Sequence, residues 1–228
     1  MNPPASRKTM RIDLHVHTTA SPDSHLTVAE AFAAARRAGL NGIAVTDHNS
    51  MANVPAAEEL ARREGMVMIR GIEVSTREGH LLAYGIATPP EQHRPVAETV
   101  DAIHKIGGIA VLAHPYRTVH GAGRKIGENI PPFDAVETMN GHTSPRTNLR
   151  AGRMAAERKL PTTGGSDAHD TRDVGRCYTE FDIKTDDVVE LFRNGNPRAC
   201  GSDLGLAGRI AIGVGNATKR ARRRFKPL

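Results

Sequence analysis

At 228 residues and 24.5 kDa, 39% hydrophobic and 25% charged, the chain can bury a sizeable core without disulfides or a structural metal. It has no apolar run of the ~18 residues that a membrane span needs, no secretory-type apolar stretch in MNPPASRKTM, and two cysteines, Cys177 and Cys200, without framework or metal spacing. These features weigh against the membrane and disulfide-rich secreted classes and lead us to expect a reducing, cytoplasmic setting. The net charge of +6 sits at one end, where Lys219, Arg220, Arg222, Arg223, Arg224 and Lys226 leave the rest of the chain with 25 basic and 25 acidic residues. A solvated terminus is the ordinary reading of such a run. RNA binding through Lys219–Lys226, by counterion release, is the functional one.

Short apolar runs and helical patterns alternate along the chain. Arg11–His15 reads as a strand, followed by an Ala-rich helix over Thr27–Arg37, in which Thr27 and Glu30 have capping-box spacing. Strand Gly42–Thr46 precedes helix Asn53–Glu64, which stops at Gly65, a natural C-cap. Strands Val67–Val74 and His80–Ile86 come next, then helix Val96–Ile106 and strand Ile109–Ala113. Tyr116–Pro132 reads as a covering loop. Strand Ala135–Thr138, helix Thr147–Lys159, strand Thr162–Gly165 and helix Asp186–Arg193 complete the pattern. Alternating βα units suit a parallel sheet. Their number suits a barrel, which periodicity alone does not separate from an open sheet. We divide the chain into an extension over 1–10, a domain over 11–203 and a terminal segment over 204–228.

Most of the eleven histidines sit where a strand is expected to end, and in a parallel α/β barrel those ends share the active-site face. In Asp13-Leu14-His15-Val16-His17, residues two apart point the same way, so His15 and His17 present two imidazoles to one point. A lone buried histidine is ordinarily a hydrogen-bonded core residue, and His-x-His by itself is only moderately specific. Thr46-Asp47-His48-Asn49 follows the second strand. Glu73 lies within an apolar strand, where an unpaired carboxylate is costly and calls for a facing positive charge. His80 opens a strand, Ala113-His114-Pro115 closes one, and Asp167 and His169 in Gly164-Gly165-Ser166-Asp167-Ala168-His169 repeat the spacing of two. With Asp23, the candidate ligands are His15, His17, Asp23, His48, Glu73, His80, His114, Asp167 and His169. Nine exceed the need of one ion, so we expect two or three divalent ions. Imidazole and carboxylate suit Mn²⁺, Zn²⁺ or Fe²⁺. Clustered metals point to hydrolysis, usually at phosphorus.

DLHVHT, TDHN, GIEVS, AHP and GSDAH, in this order, resemble the motifs of the PHP (polymerase and histidinol phosphatase) superfamily. The resemblance implies a single-domain α/β fold, a distorted seven-stranded (β/α) TIM-like barrel, with a two- or three-metal phosphoesterase site. It implies that His15, His17, Glu73 and Asp167 hold one ion, and that Glu73 bridges to a second held by His80 and His114. His48, His169 and Asp23 form a third position, where relatives often carry a histidine in place of Asp23 and His25 lies two residues on. The chain looks most like the stand-alone branch, which includes nucleoside-bisphosphate phosphatases and 5′-end-trimming exonucleases.

The expected function is therefore hydrolysis of phosphate esters, in small phosphorylated molecules, nucleotides or nucleic acid 5′ ends, by a hydroxide held between two ions. Asp23, His48 or His169 would supply a proton to the leaving group. Arg117, with planar donors suited to phosphate, is the first substrate-binding candidate. Arg176, Arg124 and Lys125 are others, each more ordinarily a surface charge. Glu137 and Asn140 end a strand on the same face and would contact substrate or hold the loop. Histidinol-phosphate phosphatase is the alternative within the fold, although longer chains are usual there. An amidohydrolase is another, but its usual barrel lysine has no counterpart, since no lysine occurs between Lys8 and Lys105. A metal-stabilised binding module without turnover is the third, and the filled ligand positions weigh against it.

Overall fold

The computed structural model describes residues 9–126 and 131–202. The basic run Lys219–Lys226, and the 204–228 segment that contains it, lie outside the described residues. Nine strands form one sheet: β1 (Met10–Val16), β2 (Gly42–Val45), β3 (Val67–Ser75), β4 (His80–Tyr84), β5 (Ile109–Leu112), β6 (Ala135–Asn140), β7 (Thr162–Gly165), β8 (Cys177–Phe181) and β9 (Arg198–Gly201). Five helices accompany them: α1 (Val28–Arg37), α2 (Val54–Glu64), α3 (Val96–Lys105), α4 (Pro145–Arg158) and α5 (Val188–Asn194). The expected caps are present. Thr27 and Glu30 complete a capping box, and Gly65 ends α2 at φ 64°. α4 starts two residues earlier than the periodicity suggests, because Ser144 caps it and Pro145 fits its first turn.

The strand order is β7-β6-β5-β4-β3-β2-β1-β8-β9, and the sheet curls until β7 meets β1 and β8, a nearly closed barrel. The seven expected strands are all there, and β8 and β9 add to them. The sheet is mixed rather than parallel: β4 is antiparallel to β3 and β5, and β8 to β1 and β9. The four residues between β3 and β4 leave no room for a crossover helix, so β4 must turn back. This reversal matters for the site. His80 begins its strand whereas His15, His17, His48, His114, Asp167 and His169 lie at or past the ends of theirs, and only a reversed β4 brings its first residue to the same face.

The barrel interior is apolar, with Ile12, Leu14, Ala44, Ile69, Leu82, Tyr84 and Val111, and α5 contributes Leu191 and Phe192 to it. Tyr84 spends its hydroxyl on the Leu14 carbonyl, 2.7 Å away, so the core keeps no orphan phenol. α3 and α4 pack outside β3–β6, and α1 and α2 outside β1–β2. The seam between β1 and β7 is closed by a buried side chain. Asp13 accepts the backbone N–H groups of Ser166 (2.8 Å), Gly175 (2.9 Å) and His15 (3.2 Å). Burial raises its pKa to about 6 despite these bonds. The raised pKa makes its contribution to stability complete below the ordinary value of 3.8 and lost as pH rises through about 6. Asp13→Ala leaves buried donors unsatisfied, a loss of about 3 kcal/mol, and thermal denaturation should show Tm falling by roughly 10 °C. A change below about 2 °C would mean that the seam does not depend on Asp13.

Candidate metal centre

One end of the barrel gathers all nine ligand candidates. β1 ends in His15 and His17, whose Nε2 atoms lie 3.0 Å apart. The remaining ring nitrogen of each is taken: His15 Nδ1 lies 2.8 Å from Glu137, and His17 Nδ1 lies 3.0 Å from Ser21. That arrangement fixes both rings with Nε2 inward, as in metal-ligating histidines, whose other nitrogen is held by a carboxylate or hydroxyl. Glu73 sits at the centre. Its Oε1 is 2.7 Å from His80 Nδ1 and 2.9 Å from His114 Nε2. Its Oε2 lies 2.9 Å from His48, 3.2 Å from His17 and 3.4 Å from His15, yet forms no aligned hydrogen bond. Asp167 approaches His17 at 3.2 Å and His15 at 3.6 Å. Asp23 lies 3.2 Å from His169 and 3.5 Å from His48. His25, the nearby histidine, is exposed.

The sequence motifs also supply the struts between strand ends. Thr18, from DLHVHT, donates both its N–H and its hydroxyl to Asp47 of TDHN, at 2.5 and 2.6 Å. Asn49 of the same motif exchanges two bonds with Ser75, the last residue of GIEVS. Gly165 is needed for close approach, since a Cβ there would lie 2.3 Å from the Cβ of His15. Asn49, His114 and Asp167 take left-handed φ values of 52°, 25° and 57° just past β2, β5 and β7. Each such non-glycine residue costs about 1–3 kcal/mol, a strain that clusters where function requires it.

The electrostatics follow from carboxylates and imidazoles packed without water. Burial would raise the Glu73 pKa, but His80, His15 and His114 outweigh it and hold the carboxylate well below its ordinary range. Burial would lower that of His48, yet Asp23 and Glu73 raise it to about 10. Burial also opposes charge on His15, and Glu137, Asp167 and Glu73 overcome it. Raised pKa values at His15, His48 and His169 favour protons opposite these carboxylates. Divalent cations among the same nitrogens would answer them without protons. The donor set fits such ions: three-residue groups drawn from His15, His17, His48, Glu73, His80, His114, Asp167 and His169 place ligand atoms within 4.8 Å of one another.

The site opens into a cleft of about 700 Å³, lined by Asp23, His48, His80, Arg117, Asp167 and His169 among others. Arg117 reaches it with a guanidinium nitrogen 2.7 Å from Asp167. The expected covering loop contributes Thr118, Val119 and His120 to the wall. Asn140 lies beneath the site rather than on its wall, donating to Glu137 at 3.0 Å and Asp167 at 3.3 Å. Arg176 is not on the wall either and faces Asp173 at 3.7 Å. Two wall histidines escaped the sequence reading. His142 lies just past β6, where the strand-end rule applied to the other histidines would have found it, and forms a further group with Asp167 and His169. His120 stacks on His80 at 4.4 Å. No sequence signal marked it.

The sequence profile of the PHP domain matches residues 13–122, and that of the PHP-associated region matches residues 145–197. A protein described as a probable phosphatase from Edwardsiella ictaluri is 28% identical over 88% of this chain and 96% of its own length. A 5′-3′ exoribonuclease from Haemophilus influenzae is 40% identical over 30% of this chain and 24% of its own length. Among solved structures, a two-domain protein from Bacteroides vulgatus containing a predicted PHP-like metal-dependent phosphoesterase superposes with a TM-score of 0.68 at 18% identity, covering 89% of this chain and 68% of that one. With both profiles matching, together over most of the chain, the chain belongs to the PHP family. Among the described residues, no helix is long and apolar enough to cross a membrane.

Proposed function

We propose that this protein hydrolyses phosphate esters of small phosphorylated molecules, nucleotides or nucleic acid 5′ ends with two or three divalent ions, Mn²⁺, Zn²⁺ or Fe²⁺. The observation that carries this reading is Glu73 Oε2, a buried carboxylate oxygen among three imidazole nitrogens without a hydrogen bond. His15, His17, Glu73 and Asp167 would hold one ion, Glu73, His80 and His114 a second, and Asp23, His48 and His169 a third. Bound ions supply a nucleophile from water near neutral pH and offset charge on phosphate oxygens.

The chain's own residues do the rest. Arg117 stands on the cleft wall beside Asp167 and offers planar donors to the non-bridging oxygens of a phosphate. With two ions bound and the third position left empty, His48 and His169 both face the Asp23 carboxylate, a setting that keeps a proton near the position of a departing oxygen. Asn140 and Glu137 support the cluster from below. The relatives carry phosphatase and exoribonuclease descriptions, which support a phosphate ester of a nucleotide or nucleic acid as substrate. The two cysteines, Cys177 and Cys200, have neither framework nor metal spacing, which accords with a reducing, cytoplasmic setting.

A turnover screen tests the reading. The protein with Mn²⁺, Zn²⁺ or Fe²⁺ is offered 3′,5′-bisphosphonucleotides, short 5′-phosphorylated RNA, histidinol phosphate and simple phosphodiesters. Metal-dependent phosphate release from a nucleotide or RNA is expected. Turnover of histidinol phosphate alone would select that alternative, and stoichiometric metal binding without turnover of any ester would select a binding module.

A further inference from the structure

The outward face of α4 carries charge that the metal centre does not use. Arg146, Arg150 and Arg153 are all exposed. Their spacing of four and three residues puts them on one face of the helix, spanning about 10 Å along its axis. None of the three pairs with a carboxylate among the described residues. Arg36, Arg62, Arg70, Arg94 and Arg198, elsewhere on the surface, each have one. The face is continuous with the cleft, because Ser144 and Thr147, at the start of α4, line it. Arg150 lies 4.0 Å over the ring of Tyr116, next to Arg117 of the cleft wall. Arg124 and Lys125, on the same loop as Tyr116, are also exposed. Two of the three exposed large hydrophobic residues among those described, Val119 and Leu149, belong to this loop and this helix.

Resting on the phosphoesterase reading, we infer that the face Arg146–Arg150–Arg153, with the Tyr116–Arg150 stack, is a track for a single-stranded oligonucleotide whose terminal phosphate ester lies in the cleft. The unpaired guanidinium groups suit successive phosphates, and the aromatic and apolar surfaces suit unstacked bases. A mononucleotide fills the cleft alone and gains nothing from charges that lie beyond it. A strand of several nucleotides gains counterion release at every phosphate it brings to α4.

The test uses the full chain and the triple variant Arg146→Gln, Arg150→Gln, Arg153→Gln. A second variant, Arg146→Gln with Arg153→Gln, keeps the Tyr116 stack. Arg36→Gln serves as the control for a paired surface arginine. Binding of a fluorescent 5′-phosphorylated RNA decamer is read by anisotropy in EDTA, where no turnover occurs, across a salt series. Turnover of a bisphosphonucleotide is read with Mn²⁺. In the triple variant, decamer affinity should fall at least about tenfold and the slope of log affinity against log salt should flatten by about 2. The double variant should show an intermediate loss, and Arg36→Gln none. Bisphosphonucleotide KM should stay within about twofold. Any contribution from Lys219–Lys226 is common to every protein compared, so the differences report α4. Unchanged decamer binding overturns the track, as does an equal loss on the mononucleotide. Loss of binding to anionic phosphatidylserine vesicles, with the decamer unaffected, assigns the face to a membrane and also overturns it. If no phosphate ester turns over but the decamer result holds, the phosphoesterase reading fails and the binding face stands.

Discussion

Glu73→Gln should lower turnover of a phosphate ester by about three orders of magnitude and reduce bound metal to at most about one ion per chain. The carboxylate is the one group shared by the rings of His15, His17, His48, His80 and His114, with each oxygen approached by at least two of them. An amide of the same shape keeps the packing and one acceptor but removes the charge. It also turns an N–H toward imidazole nitrogens that need to face a cation. Metal analysis by mass spectrometry, alongside initial rates, separates the two effects. Undiminished metal content with activity within tenfold of the parent would remove Glu73 from the centre of the site and end the shared-carboxylate arrangement.

Glu137→Gln should cost about 10–100-fold in metal affinity or activity without touching an ion itself. Glu137 is buried and spends every acceptor on the site's framework: Oε1 meets His15 Nδ1 at 2.8 Å, and Oε2 accepts from the His114 backbone at 2.9 Å and from Asn140 at 3.0 Å. The amide can still accept a bond, but it loses the charge that favours the His15 tautomer with Nε2 free for metal. Titration with Mn²⁺ should therefore show weakened affinity at saturable activity, so that excess metal restores part of kcat. A purely structural role would lower thermal stability and leave the metal titration unchanged.

The two carboxylates show how differently the sequence exposed its parts. Glu73 stood out because a lone acid in an apolar strand needs an opposite charge. The paired spacings of His15 with His17 and Asp167 with His169 stood out because residues two apart share a direction on a strand. Strand alternation and caps gave most of the elements for the same local reason. β8 was missed although CYTEF alternates buried and half-buried residues, and β9 is four residues long with little apolar content. Neither has meaning until its partner is in place, β1 for β8 and β8 for β9.

What the sequence by itself determined, then, was chemistry and local geometry: nine candidate ligands, seven of them in ordered motifs, caps at fixed offsets, and a family resemblance carried by five motifs. Tertiary structure decided which atoms share a point. Only the antiparallel turn from β3 into β4 brings His80 to the face where β1, β2, β5 and β7 end. The approach of Asp23, and not the exposed His25, to His48 and His169 depends on how the loop after β1 folds over that face. Arg117, Arg176 and Asn140 were all substrate-binding candidates in sequence, with Arg117 first, yet Asn140 lies beneath the ligands, Arg176 turns to Asp173, and Arg117 alone of the three reaches the cleft wall. The physical reason is range. Side-chain direction along one strand is set by the residues beside it, whereas convergence across the barrel mouth depends on strand order and register, which contacts far apart in sequence fix.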